Sequence, residues 1–458
     1  MRSRWRAALC LAHAILQGAF LLPASAQAGV VTVITSFPKE VTDIYKKAFE
    51  RVHPEIRISI LNKNTNAALI YIERMPRGQR PDVFWASAPD AFEVMARNDL
   101  LEPMPDVQNP AAPGRIGAYP INDERHRYFG QALSGYGIMW NLRYLAAHRL
   151  TPPANWSDLT RAEYFGHLAL SSPSWSGTTH LMVESILQGA GWDAGWSQLM
   201  QIAANSAAIT ERSFGVPEGV NSGRYGIGMV IDFFAFVAKR NGFPVDFTYP
   251  DINNLIPASI GVIAGARNQA EARSFVAFTL SDEGQKLLLD PRISRMPVVP
   301  YDTLQGKVAA GYPRLPDTVT RSSRRFDAAL AQDRIRLVSA MFDQSITFPI
   351  RELRAVAREI VNAERQLARH PDAQAAALIQ QARRLAFKPV VSERELSDAA
   401  LRAVFFGRID DNPGSEGDGQ VRSSQQSIAF ERRWNSRARA AYAQATELAR
   451  QASARLSE

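Results

Sequence analysis

Cysteine is nearly missing from this sequence. The one present, Cys10, lies inside an apolar stretch near the start, so no internal disulfide and no cluster of thiolate metal ligands can form. Histidine is scarce too, seven in all, and no two stand at the His-x3-His spacing that sets both rings on one helix face. No cofactor and no metal are therefore expected. Neither a Gly-x-Ser-x-Gly nucleophile turn nor a Gly-Lys-Ser/Thr phosphate loop occurs. Charge is almost balanced, with 53 basic and 45 acidic residues, and the pairs Arg324–Arg325 and Arg432–Arg433 stand isolated. No basic stripe for nucleic acid exists, and the small excess of +8 leans toward acidic ligands.

Only the first residues hold a long apolar run. Arg2, Arg4 and Arg6 precede Ala7 to Leu22, then come Ala24, Ser25, Ala26 and Ala28, the pattern of an export signal cleaved after Ala26 or Ala28. Gln17, Gly18 and Pro23 interrupt or end the run too early for a membrane span. A leader over 1–28 and a periplasmic location are expected. The 430 residues that follow are too many for one core.

Val30 to Ser36 is a β-branched run, and Val41, Tyr45, Ala48, Phe49 and Val52 follow at helical spacing. The same order recurs with Ile56–Leu61 before Thr65–Met75, and with Asp82–Trp85 before Pro89–Asn98. Such alternation predicts a parallel sheet with ligand loops at its strands' carboxyl ends, after Ser36, Leu61 and Trp85. Ser134–Asn141 is the candidate crossing strand. A second α/β unit follows, with strands Leu168–Ser171, Ala207–Thr210 and Gly226–Ile231 and helices Thr178–Gln188 and Ala194–Ala204. Ser259–Ala264, Glu271–Leu280 and Asp282–Asp290 are expected back in the first unit. Beyond Asp317 the chain turns to Ala/Arg/Leu/Gln-rich helices, with one short strand possible at Pro389–Val391. Expected boundaries are lobe 1 over 29–133 and 236–310, lobe 2 over 134–235, and a helical extension over 311–458 with a loop near 410–427. The stripe Ile335, Val338, Met341 and Phe342 predicts that this extension packs on the first lobe.

Asn155–Trp156–Ser157–Asp158–Leu159 through Tyr164–Phe165–Gly166, with Asp282–Glu283–Gly284–Gln285, resembles the extracellular solute-binding proteins of the type II, ferric-binding-like class. Ser171–Ser174, Thr179–Ser185, Gly191–Trp196, Arg212–Val216, and Met341–Phe342–Asp343 with Ser345 look like the family's branch regulating phosphoglycerate transport. The resemblance implies an α/β, two-lobed periplasmic-binding-protein fold (type II) with a helical C-terminal extension. It also implies a non-enzymatic monomer that captures a small anionic ligand, phosphorylated or carboxylated, and presents it to an inner-membrane sensor kinase. An ABC permease is the alternative partner, and a secreted phosphoester hydrolase the alternative class.

Six hydroxyls, on Ser171, Ser172, Ser174, Ser176, Thr178 and Thr179, crowd Gly177 at a helix start, where backbone N–H groups and the dipole favour an anion. One of them would serve as an ordinary cap in any case. Arg212, followed by Ser213, stands after a strand and before a helix, where a guanidinium can grip a carboxylate or phosphate in bidentate fashion. Thr35 and Ser36, Asn64 and Thr65, and Ser87 are expected on the first lobe's rim. Tyr136 is placed near the hinge, over ligand or packed in the crossing strand. Asp232 is the one acid of note in the cleft-forming segments. The resemblance implies tyrosines next to it in ferric-ion-binding relatives; here Phe233 and Phe234 cannot ligate iron, and His180 reads as helix packing or surface.

Overall fold

The computed structural model describes residues 29–300, 303–304, 321, 325–406 and 418–457, so the expected leader over 1–28 lies outside the described residues. The expected loop also lies outside them as far as residue 417.

The opening β-branched run forms β1 (Gly29–Thr35), and α1 (Lys39–Val52) buries Val41, Tyr45, Ala48 and Phe49 against the sheet. β2 (Ile56–Asn62), α2 (Thr65–Arg74), β3 (Val83–Ala86) and α3 (Pro89–Arg97) continue the alternation. A small hairpin of β4 (Arg115–Ile116) and β5 (Tyr119–Pro120) precedes β6 (Phe129–Ser134). The second lobe holds β7 (Tyr136–Asn141), α4 (Leu142–His148), β8 (Leu168–Ser171), α5 (Gly177–Ala190), α6 (Trp192–Ala204) and β9 (Ser206–Thr210). It continues through α7 (Gly215–Asn221), β10 (Ile227–Ile231), α8 (Asp232–Arg240) and β11 (Val245–Thr248). The chain then returns through β12 (Ile256–Val262), α9 (Gln269–Leu280), α10 (Asp282–Leu287) and β13 (Met296–Pro297).

Two sheets result, ordered β13-β6-β12-β3-β1-β2 and β11-β7-β10-β8-β9. β1 pairs in parallel with β2 and β3, and β8 with β9 and β10, while β12 and β7 run antiparallel to their neighbours. The expected crossing strand is two strands in two sheets, joined only by Gly135. The second crossing lies between Thr248 and Ile256, later than the expected boundary at 236. Val245–Thr248 pairs with β7 and so stays in the second lobe.

Asp232 fastens the two crossings together. Its Oδ2 accepts the Gly135 N–H at 2.7 Å and the Tyr249 hydroxyl at 2.8 Å, and its Oδ1 caps the Phe233 N–H at 2.7 Å. A Cβ at position 135 would stand 3.0 Å from the Tyr249 ring, so a side chain there requires that ring to shift by a few tenths of an ångström.

The extension comprises α11 (Ala328–Asp333), α12 (Ile335–Phe342), a π-helical turn (Asp343–Thr347), α13 (Ile350–Leu367), α14 (Ala373–Ala386), α15 (Ala399–Phe405) and α16 (Asp418–Arg455). It packs on the second lobe, not on the first as its apolar stripe alone suggested. Met341, Phe342, Val356, Ile360 and Tyr442 share one core with Trp192, Trp196 and Leu199. The cause lies in α6, which buries Trp192, Gly195, Trp196, Leu199, Met200, Ile202, Ala203 and Ala204. That buried face is broader than the sheet alone covers, and the extension covers the rest, leaving Asp193 and Ala194 exposed. Pro389–Val391 forms no strand: the Val390 and Val391 carbonyls accept instead from Arg437 Nη1 and Trp192 Nε1, each at 2.9 Å.

Candidate ligand-binding cleft

The two lobes meet across a cleft built from strand ends and helix starts. From the first lobe come Ser36, Phe37 and Pro38 before α1, Asn64 and Thr65 at the start of α2, and Ser87 before α3. The second lobe contributes Trp175, Ser176 and Thr178 at the start of α5, Arg212, Ser213 and Phe214 before α7, and Phe233 and Phe234 in α8. Several helix N-termini therefore converge on one space, each with unpaired N–H groups and a positive dipole end. The lining holds two arginines, Arg212 and Arg295, and no acid.

The structure brings together eight of the residues singled out in the sequence: Ser36, Asn64, Thr65, Ser87, Ser176, Thr178, Arg212 and Ser213. Two of them also have local duties. Asn64 caps α2 by accepting the Ala67 N–H at 2.7 Å, and Ser176 caps α5 by accepting the Thr179 N–H at 3.2 Å. Arg212 reaches across the cleft, its Nη1 donating to Asn62 Oδ1 at 3.3 Å while its guanidinium lies 5.6 Å from the Phe214 ring. Gly177 adjoins the lining, and a Cβ built on it would stand 3.8 Å from Ala88 of the opposite lobe.

The remaining candidates lie elsewhere. Ser172 is fully buried at the seam with the extension, donating to Asp343 Oδ1 at 2.9 Å and sharing a 2.7 Å hydrogen bond with Ser174. Thr35 is buried beneath the rim, where its Oγ1 accepts the Phe37 N–H at 3.1 Å. Tyr136 is buried in the crossing strand, its backbone N–H donating to Asn253 Oδ1 at 3.1 Å, and burial holds its hydroxyl well above the usual range. Asp232 is the hinge clamp. Burial raises its carboxyl to about 6 against the lowering pull of its hydrogen bonds and the nearby Arg295.

Arg295 is the residue that sequence reasoning missed. It is 1 % exposed yet lines the cleft, with its guanidinium 4.0 Å from the Phe37 ring and 3.8 Å from the Phe233 ring. Its Nη1 donates to Ser87 Oγ at 3.3 Å. The backbone around it is fixed: Ser294 is left-handed, the Arg295 N–H donates to Leu288 O at 3.0 Å, and Met296 pairs with Leu133 of β6. The signal for it was an arginine within Ile293-Ser-Arg-Met-Pro-Val-Val299, a stretch that otherwise reads as core.

His180 is buried in α5, its Nε2 bonded to the Ala331 carbonyl at 2.9 Å, and burial lowers its pKa. Among the described residues no group of three or more His, Cys, Asp or Glu side chains gathers as a metal ion would need, and no helix is long and apolar enough to cross a membrane.

Residues 78–313 match the bacterial extracellular solute-binding protein family. The chain is 32% identical over 342 residues to the phosphoglycerate transport regulatory protein PgtC of Salmonella typhimurium, covering 74% of this chain and 82% of that one. Among solved structures it resembles the periplasmic binding protein AfuA of Actinobacillus pleuropneumoniae with bound fructose-6-phosphate. There the TM-score is 0.59 at 16% identity, over 70% of this chain and 99% of AfuA. Iron-bound HitA of Pseudomonas aeruginosa gives a TM-score of 0.52 at 16% identity, over 67% of this chain and 99% of HitA. These two likenesses describe the fold, the type II two-lobed arrangement.

Proposed function

From the premise that this chain belongs to the bacterial extracellular solute-binding protein family, whose members bind without doing chemistry, we propose that its cleft captures a small phosphorylated or carboxylated metabolite. The observation that carries this reading is Arg295, a cation held out of water in a lining of hydroxyls and helix N-termini that contains no acid. Two cations among hydroxyls and helix N-termini, with no acid in the lining, favour an anion. Arg212 on the opposite rim supplies a second positive charge, which suits a ligand anionic at both ends. The similarity to PgtC makes a phosphoglycerate the first ligand to try.

In the proposed setting the exported protein works as a monomer in the periplasm after loss of its leader. It presents the loaded form to a membrane sensor that controls uptake of the same solute. Isothermal titration against phosphoglycerates, other phosphoesters and neutral sugars tests the ligand class. Tight binding of a neutral sugar with no response to anions would defeat it. Deleting the gene separates relay from import: loss of transporter induction supports the sensor role, whereas loss of uptake from an induced transporter supports delivery to an ABC permease.

A further inference from the structure

We propose that Phe233 is a positioning residue for the cleft's cation. Its ring closes the second face of the Arg295 guanidinium from the opposite lobe, so the anion site is complete only while the lobes are together. The inference rests on the anion-binding reading of the cleft. Arg295 belongs to the first lobe by its backbone, through β13 and the Leu288 carbonyl, and so does Phe37 in the turn after β1. Phe233 belongs to the second lobe, in the first turn of α8 next to the hinge carboxylate of Asp232.

Two rings with centroids at 4.0 and 3.8 Å from one guanidinium carbon have no room to share a face, so they cover opposite faces. The N–H donors then remain in the plane of the group, where Ser87 accepts one of them. Held between rings, the fork keeps one orientation and loses little freedom when an anion arrives. Separating the lobes withdraws Phe233 and admits water to that face, leaving the fork held from the first lobe by Phe37 and Ser87. The anion consequently meets an arginine held on both faces in the closed form and on one face in the open form. This difference in affinity is what draws the lobes together.

Modification of Arg295 by phenylglyoxal, followed peptide by peptide by mass spectrometry on the full-length protein, reads the slot without any ligand. Phe233→Leu should raise the Arg295 rate several-fold relative to the other arginines, and Phe233→Tyr, which keeps the ring, should not. Titration with 3-phosphoglycerate should show roughly thirtyfold weaker binding for F233L and near wild-type binding for F233Y, since a desolvated cation–π contact is worth about that factor. If F233L fails to fold, Phe233→Met, which also lacks a ring, takes its place. Unchanged Arg295 reactivity in the ringless variant overturns the proposal. A wild-type protein that binds no phosphoester overturns the anion-binding reading instead, and the reactivity comparison still decides the slot.

Discussion

Among the described residues two arginines are buried, Arg334 and Arg295, and they sit in regions with opposite tasks. Arg334 lies at the seam between the extension and the second lobe, where Nε and Nη2 each donate to Glu184 at 2.7 Å and the guanidinium faces Trp192 at 4.9 Å. Arg295 lies at the cleft, between rings from both lobes. The seam surrounds its arginine with a protein carboxylate and apolar core, which suits a permanent joint. The cleft sets its arginine between two rings with the Ser87 hydroxyl at its edge, while the nearby Asp232 carboxyl is fastened to the hinge. The lining around it holds hydroxyls and helix starts that suit a visiting anion. Residue type and burial do not separate the two; the groups at the edge of the guanidinium do.

The largest expected effect breaks the seam. Glu184→Ala leaves Arg334 buried without its carboxylate and should cost about 3–5 kcal/mol in denaturant unfolding, with cleft affinity unchanged in the folded protein. A paired Glu184→Leu, Arg334→Met variant should recover most of that loss. An E184A protein as stable as wild type would mean the seam does not depend on the pair.

Next comes the hinge carboxylate, which lies in the field of Arg295. The Asp232 carboxyl is raised from 3.8 to about 6 by burial, so the folded state holds its proton more tightly than the unfolded chain does. Its contribution to stability is therefore fully present below pH 4 and lost as pH rises through about 6, an effect of order 3 kcal/mol. Asp232→Asn cannot titrate, so its melting temperature relative to wild type should improve steadily from pH 4 to pH 7. A constant difference across that range would mean Asp232 is not held protonated.

A smaller effect is expected at Ser172. Removing its hydroxyl from Asp343 by Ser172→Ala should cost about 1–2 kcal/mol of stability and leave titration of the cleft unchanged. Weakened ligand binding without loss of stability would return Ser172 to the cleft.

The α/β order was legible because β-branched runs and amphipathic helices differ in period, as in Val30–Ser36 against Val41–Phe49. The late second crossing was not, because what keeps β11 in the second lobe is pairing with β7, about a hundred residues earlier in the chain. Half of the cleft was legible for a related reason: loops after parallel strands collect at one sheet edge, which put Ser36, Asn64, Thr65 and Ser87 together. The hydroxyl cluster from Ser171 to Thr179 misled in part. It wraps a helix start, so one side faces the first lobe and the other faces Asp343, a partner 171 residues away from Ser172. Arg295 stayed hidden because its surroundings are tertiary, made by rings at 37 and 233 that no local pattern links to it.

One titration tests the role of Arg295 in the cleft most directly. Wild type and Arg295→Met, both shown to be folded by circular dichroism, are titrated calorimetrically with 3-phosphoglycerate at low salt. The predicted result is saturable binding by wild type and a loss of roughly a hundredfold or more in the variant, with a much smaller change in unfolding free energy. Equal affinity in the two proteins would contradict the claim that the buried arginine of the cleft is there for the ligand.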